Sequence, residues 1–231
     1  MGNYSTSNKT IFQIPTTSLK INGSNSLYPV GRVFCIGTNY QNHAVEMGSS
    51  LTSEPTFFMK PFNSVSQVDE LTLPDNAKNV HHEVELVVCL KAGGKNINLK
   101  DAKKCIYGYA VGLDLTKRDV QNYLKKNKKS WELSKVFDFS APLSRIEMLE
   151  KVIIDDNEIS LKINGVVKQK STISKMIYSV EFLISYLSKQ MTLFPGDLIF
   201  TGTPEGVGPI KRGDLVSAEI EGISELEIKI F

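Results

Sequence analysis

Cysteine is scarce in this chain of 231 residues, limited to Cys35, Cys89 and Cys105, no two of them spaced as CxxC. The three histidines have no cysteine at ligand spacing either, which argues against zinc. Two of the cysteines lie inside apolar runs, as suits reduced, buried thiols in an intracellular protein. No apolar run approaches the roughly 18 residues a membrane span needs, so no span is expected. An excess of one charge is also missing: 27 Lys and Arg stand against 25 Asp and Glu, a net +2, which calls for no polyanionic partner. The one basic run, KKNKK at residues 125–129, lacks interleaved aromatics and a second basic patch. A helix end running into a solvated loop describes it better than a nucleic-acid surface, so no nucleic acid is expected.

Internal repeats and long linkers are absent as well. At 41% hydrophobic residues the length suits one well-buried domain, placed at residues 28–231 behind a polar N-terminal extension of residues 1–27. The first ten residues, MGNYSTSNKT, fit a myristoylation pattern through Gly2 and Thr6, although one acyl chain anchors only weakly. The first acidic residue is Glu46, and Ser and Thr are frequent before it, a faint likeness to a transit peptide. Such peptides are Arg-rich, and this stretch holds only Arg32. The expected compartment is the cytoplasm, with the mitochondrion as the alternative.

Strand signals dominate what is there. Residues 30–36 and 55–59 read as short apolar strands and 84–90 as a buried one, with another apolar run at 107–113. A weak helix is predicted over 99–106. Thr116 with Asp119 three residues on resembles a capping box opening a helix to about residue 126. Asn164 and Gly165 between β-prone flanks predict a type I′ hairpin. Residues 180–189 form the clearest helix, capped by Ser179 and striped by Val180, Leu183, Ile184 and Leu187. Pro195, Gly196 and Asp197 turn into a strand at 198–201, followed by the Gly- and Pro-rich loop GTPEGVGP; Gly213 and Asp214 open a last strand pair. The predicted class is a strand-rich α+β fold.

Glu83 and Glu85, two apart, point to the same face of a strand, and Val87 and Cys89 continue that face into a core. Asp114 ends the apolar run before it. Buried carboxylates are costly unless cations or hydrogen bonds compensate, and oxygen-only ligands favour Mg²⁺, Mn²⁺ or Ca²⁺. These residues alone equally allow a solvated strand face and a helix-capping aspartate. Between Gly37 and Gly48, His43 and Glu46 share a face if the segment is helical. A carboxylate beside imidazole fixes its tautomer and suits a general base on a hinged lid, though a surface pair has the same spacing. Lys135 could bind an anion or be an ordinary exposed lysine. Arg118 and Gln121 could point back toward a cation at Asp114, or sit on a solvated helix face.

Together GTNYQNHAVEM, EPTFFMKP, HHEVELVV, GYAVGLDLTKRDVQ, WELSKVFD, INGVV and FTGTPEGVG resemble the fumarylacetoacetate hydrolase family. Within it they are most similar to the acylpyruvate hydrolase and oxaloacetate decarboxylase branch. The motifs follow the family's order across roughly residues 30 to 209.

The resemblance implies a mixed β-sandwich roll forming a single catalytic domain, usually in a homodimer. It implies that Glu83, Glu85 and Asp114 hold Mg²⁺ or Mn²⁺, and that His43 and Glu46 are a water-activating dyad on a mobile lid. It likewise implies that Lys135 stands near the metal, that Arg118 and Gln121 place substrate, that Thr203 meets its carboxylate end, and that Lys60 supports. The implied function is metal-dependent C–C cleavage of a 2,4-diketo or 2-keto acid through a metal-bound pyruvate enolate, as acylpyruvate hydrolysis or oxaloacetate decarboxylation. Alternatives are an oxaloacetate keto–enol tautomerase and a non-catalytic keto-acid-binding protein. One position departs from the pattern: close relatives often carry Arg where this chain has Thr38, and Thr cannot pair bidentately with a carboxylate.

Overall fold

The computed structural model describes residues 11–48, 53–152 and 154–231. Gly2 and Thr6, the acylation pattern, lie outside the described residues. A six-stranded mixed sheet forms the centre, in the order Glu147–Met148, Ile106–Leu113, Val84–Leu90, Leu198–Phe200, Val33–Ile36 and Phe57–Lys60. Only the Leu198–Phe200 strand runs parallel to a neighbour, the Val33–Ile36 strand. A five-stranded sheet packs against it, in the order Val166–Thr172, Glu158–Ile163, Leu215–Ile220, Leu226–Ile230 and Glu70–Leu71.

The central sheet is buried on both faces, which explains why its strands read as continuous apolar runs. Leu86, Val88, Val111 and Ile199 face the second sheet, meeting Ile159, Leu161, Val216, Ala218 and Ile228. The Val180–Gln190 helix closes that core with Leu183, Ile184 and Leu187, the stripe its sequence predicts. Ser179 caps it by accepting the Phe182 amide. Val87, Cys89, Ala110 and Phe200 face the other way, into a smaller core.

Three sequence expectations are revised. Residues 1–27 are not all extension: Ser18–Lys20 pairs with Leu27–Pro29, and Leu19 and Ile21 are buried in the smaller core. Their short apolar segment is too brief to show as a periodic signal. The capping box is not formed either. Thr116 belongs to a strand paired with Val80–His82, so its hydroxyl donates back to the Asp114 carbonyl. The helix starts at Arg118 without a side-chain cap, and Asp119 instead accepts the Lys78 amide. The predicted helix at 99–106 is one α-turn, Leu99–Ala102, continued by the 3₁₀ turn Lys103–Cys105.

Candidate active site

The antiparallel pairing of Val84–Leu90 with Ile106–Leu113 sets Val84 opposite Leu113. Glu83 and Asp114 therefore leave the two strands side by side, and the Asp114 amide donates to the Glu83 carbonyl at 2.9 Å. Glu85 enters from the same face of its strand. One oxygen from each of Glu83, Glu85 and Asp114 lies within 4.8 Å of the others, and all three residues are buried. That geometry settles the choice left by the sequence against a solvated strand face.

Three cations surround them. Lys135 donates to Glu83 Oε2 at 2.8 Å and to Asp114 Oδ2 at 2.5 Å. Arg118 pairs with Glu83 Oε1 and donates to Gln121 Oε1 at 2.5 Å. Lys60 lies 2.9 Å from Asp114 Oδ1, but in a direction that makes no hydrogen bond, and Oδ1 is left with no donor. The Lys60 ammonium is instead hydrogen-bonded to the Lys135 carbonyl and to Ser140 Oγ.

The electrostatics divide the trio. Burial alone would push the Glu83 carboxyl up, but Lys135 and then Arg118 pull it well below the usual range. Lys135 is held firmly protonated: burial opposes its charge, but Asp114 and Glu83 outweigh it. Glu85 goes the other way. Burial first, then Asp114 and Glu83, push its carboxyl well up, and only Lys135 and the Gly202 amide relieve it. An uncompensated carboxylate, a donor-less Asp114 oxygen and an all-oxygen set are together what a hard divalent cation would satisfy. The residues present fit such an ion.

The loop after Leu198–Phe200 ties this trio to the dyad. The Gly202 amide donates to Glu85 Oε2 at 2.7 Å, and the Gly206 amide donates to Glu46 at 3.1 Å. Both glycines need their type. Each has positive φ, and a Cβ would come within 2.7 Å of the Asn39 side chain at Gly202 and 2.2 Å of the Lys168 carbonyl at Gly206. His43 and Glu46 sit on the Gln41–Glu46 helix with Nδ1 3.1 Å from Glu46 Oε2. His43 is buried, and with Nδ1 engaged by Glu46 its second ring nitrogen is Nε2.

A cavity of about 410 Å³ brings His43, Glu83, Arg118, Gln121 and Lys135 together. Thr38, Met47, Phe58, Lys125, Trp131 and Tyr178 also line it. Thr203 is buried but is not among the lining residues; it accepts from Gln169 Nε2 at 2.8 Å. Lys60 lies behind the cavity rather than on it. Sequence reading missed Gln169 and Asn39. Asn39 is fully buried and binds the Thr201 and Tyr178 carbonyls and the Tyr178 amide.

The chain belongs to the fumarylacetoacetate hydrolase family: the model described as "Fumarylacetoacetate (FAA) hydrolase C-terminal" matches residues 32–231. It is 42% identical over 200 residues to oxaloacetate tautomerase YcgM of Escherichia coli, spanning 85% of this chain and 91% of the relative. It is 42% identical over 201 residues to mitochondrial oxaloacetate tautomerase FAHD1 of Mus musculus, spanning 86% and 90%. The fold matches the crystal structure of fumarylpyruvate hydrolase from Pseudomonas aeruginosa in complex with Mn²⁺ and pyruvate. That match has a TM-score of 0.92 and 41% identity, covering 96% of this chain and 99% of the other. The strand-rich α+β expectation and the family resemblance both hold. No helix among the described residues is long and apolar enough to cross a membrane.

Proposed function

We propose that this protein is a divalent-cation-dependent enzyme of small 2-keto acids that interconverts the keto and enol forms of oxaloacetate. The observation that carries this reading is a base-like His43, held through Nδ1 by Glu46 and lining one cavity with Glu83 of the acidic trio. Two relatives at 42% identity carrying the tautomerase name put this reaction ahead of the C–C cleavage placed first by sequence.

Glu83, Glu85 and Asp114 would hold a Mg²⁺ or Mn²⁺ ion, which would supply Lewis acidity to the site. Arg118 and Gln121 orient the keto-acid end, and the loop that carries Thr203, whose own side chain lies outside the cavity lining, meets its carboxylate. His43, its Nδ1 fixed by Glu46, takes a proton from C3 through Nε2, and a proton is returned to the keto oxygen to give the enol. Lys135, kept protonated by its carboxylate neighbours, stabilises negative charge developing on that oxygen. Met47, Phe58 and Trp131 add apolar walls to the cavity.

A second reading, acylpyruvate hydrolysis or oxaloacetate decarboxylation, is favoured by the Mn²⁺ and pyruvate of the Pseudomonas structure. In hydrolysis the same His43 would draw a proton from water attacking the distal carbonyl. A homodimer, and residence in the cytoplasm with the mitochondrion as the alternative, complete the proposal. The test follows oxaloacetate tautomers by NMR beside pyruvate release from oxaloacetate and acetylpyruvate, with Mn²⁺ and with EDTA. Accelerated, EDTA-sensitive interconversion is expected. Pyruvate release without it would move the assignment to cleavage, and neither would leave a keto-acid-binding protein.

A further inference from the structure

The titratable side chains lining the cavity that bear on its charge are His43, Glu83, Arg118, Lys125 and Lys135. Glu83 is paired with both Arg118 and Lys135, Lys135 also with Asp114, and His43 with Glu46. Lys125 stands apart, with no ion pair among the described residues. The remaining polar lining side chains, Thr38, Thr56, Gln121 and Tyr178, are uncharged. Lys125 is therefore the one lysine or arginine of the lining without an ion-pair partner among the described residues.

Its position is set by the Arg118–Lys126 helix, on which Arg118, Gln121 and Lys125 fall at i, i+3 and i+7 and line the cavity together. Arg118 is bound at the acidic trio, Gln121 is buried beside it, and Lys125 is exposed. At about 1.5 Å of rise per residue, this row climbs roughly 10 Å from the trio toward solvent. A ligand whose keto-acid head lies at the trio would turn its far end toward Lys125. Although Lys125 is exposed at the surface, partial desolvation of its ammonium, and then the positive charge of Arg118, press its pKa downward against the pull of Glu83, and an anion beside it would offset both.

Resting on the keto-acid reading above, we infer that Lys125 is a specificity-determining residue that binds a second carboxylate at the far end of the substrate. The site then selects 2-keto dicarboxylates over 2-keto monocarboxylates.

Two ligands of equal length isolate that carboxylate: 2-oxoglutarate, and 2-oxopentanoate, which ends in a methyl group. Calorimetric affinities for both are measured on the Mn²⁺-supplemented protein as wild type, Lys125→Gln and Lys125→Arg. Their ratio is the readout, beside the KM ratio of oxaloacetate to acetylpyruvate. Wild type is expected to prefer the dicarboxylate. Lys125→Gln should shrink that preference about two- to fivefold, the range for a solvent-exposed ion pair, and Lys125→Arg should restore it. A ratio unmoved by Lys125→Gln, or equal losses for both ligands, overturns the inference. Failure of the keto-acid reading looks different: neither keto acid is turned over, whatever happens to the binding ratio.

Discussion

Gln169 and Thr203, 34 residues apart in sequence, meet at 2.8 Å inside the protein, with the amide Nε2 donating to the threonine hydroxyl oxygen. The same nitrogen donates to the Pro204 carbonyl, and Gln169 Oε1 accepts from His82 Nδ1 and from the Val84 amide. One buried side chain on the outer hairpin thus joins the strand that carries Glu85 to the loop proposed to hold the substrate carboxylate. Because Thr203 Oγ1 accepts from Gln169, its own proton is free to donate elsewhere. Gln169→Glu replaces the donor with an acceptor facing two acceptors. It should destabilise the fold by about 1–3 kcal/mol and turn the Thr203 proton inward. The expected signature is a raised KM for keto acids with a smaller change in kcat. A urea midpoint that falls while KM stays at the wild-type value would confine Gln169 to a structural role.

Glu85 and Asp114 should respond oppositely to neutralisation when no cation is present. Glu85 is crowded by Asp114 and Glu83, so Glu85→Gln removes repulsion while an oxygen remains for the Gly202 amide. In EDTA its Tm should equal or exceed that of wild type. Asp114 is flanked by two buried ammoniums, Lys60 and Lys135. Asp114→Asn leaves them short of countercharge and should lose about 3 kcal/mol, the range for breaking a buried ion pair. Added Mn²⁺ should raise the Tm of wild type and of neither variant. A full Mn²⁺ shift in Asp114→Asn would remove that residue from the ligand set.

Where structure was written locally, the sequence was readable. Asn164 and Gly165 take the positive φ values of 51° and 78° that a type I′ turn demands, because glycine has no Cβ and the short polar side chain of asparagine tolerates that region. The Val180–Gln190 helix carries both its cap and its stripe in sequence. The acidic trio was legible as candidates because period two placed Glu83 and Glu85 on one face, but their burial depended on pairing with a strand some 25 residues away. Gln169 gave no signal at all. It sits between exposed Lys168 and Lys170 in a polar strand, and only the fold turns it inward to the Thr203 loop. The capping box misled because Thr116 was claimed by a long-range strand pairing, which outweighs a local cap.

His43→Ala should lower kcat for oxaloacetate interconversion by about 10²- to 10⁴-fold, the usual worth of a positioned general base. Glu46→Gln should have a smaller effect. An amide oxygen can still accept from the imidazole and from the Gly206 amide, but it offers no negative charge to an imidazolium. Stopped-flow absorbance of the enol reads both variants. Wild-type kcat in His43→Ala would leave the proton transfer to another group.

Acid should destabilise the cation-free protein through the histidines that precede the trio. Burial, then Arg118 and His82, push His81 down to about 4 from its ordinary 6.5, and burial lowers His82 as well. Both are therefore neutral in the folded chain over a range where the unfolded chain takes up protons. Their depressed values contribute nothing adverse above pH 6.5, and stability falls as the pH drops from there toward 4. His81→Asn keeps an acceptor for the Arg118 guanidinium, which donates to His81 Nδ1 at 3.4 Å, but removes the titrating ring. In EDTA, its urea midpoint should fall less between pH 7.5 and pH 5 than that of wild type. Parallel losses in the two proteins would assign the acid sensitivity to the carboxylates instead.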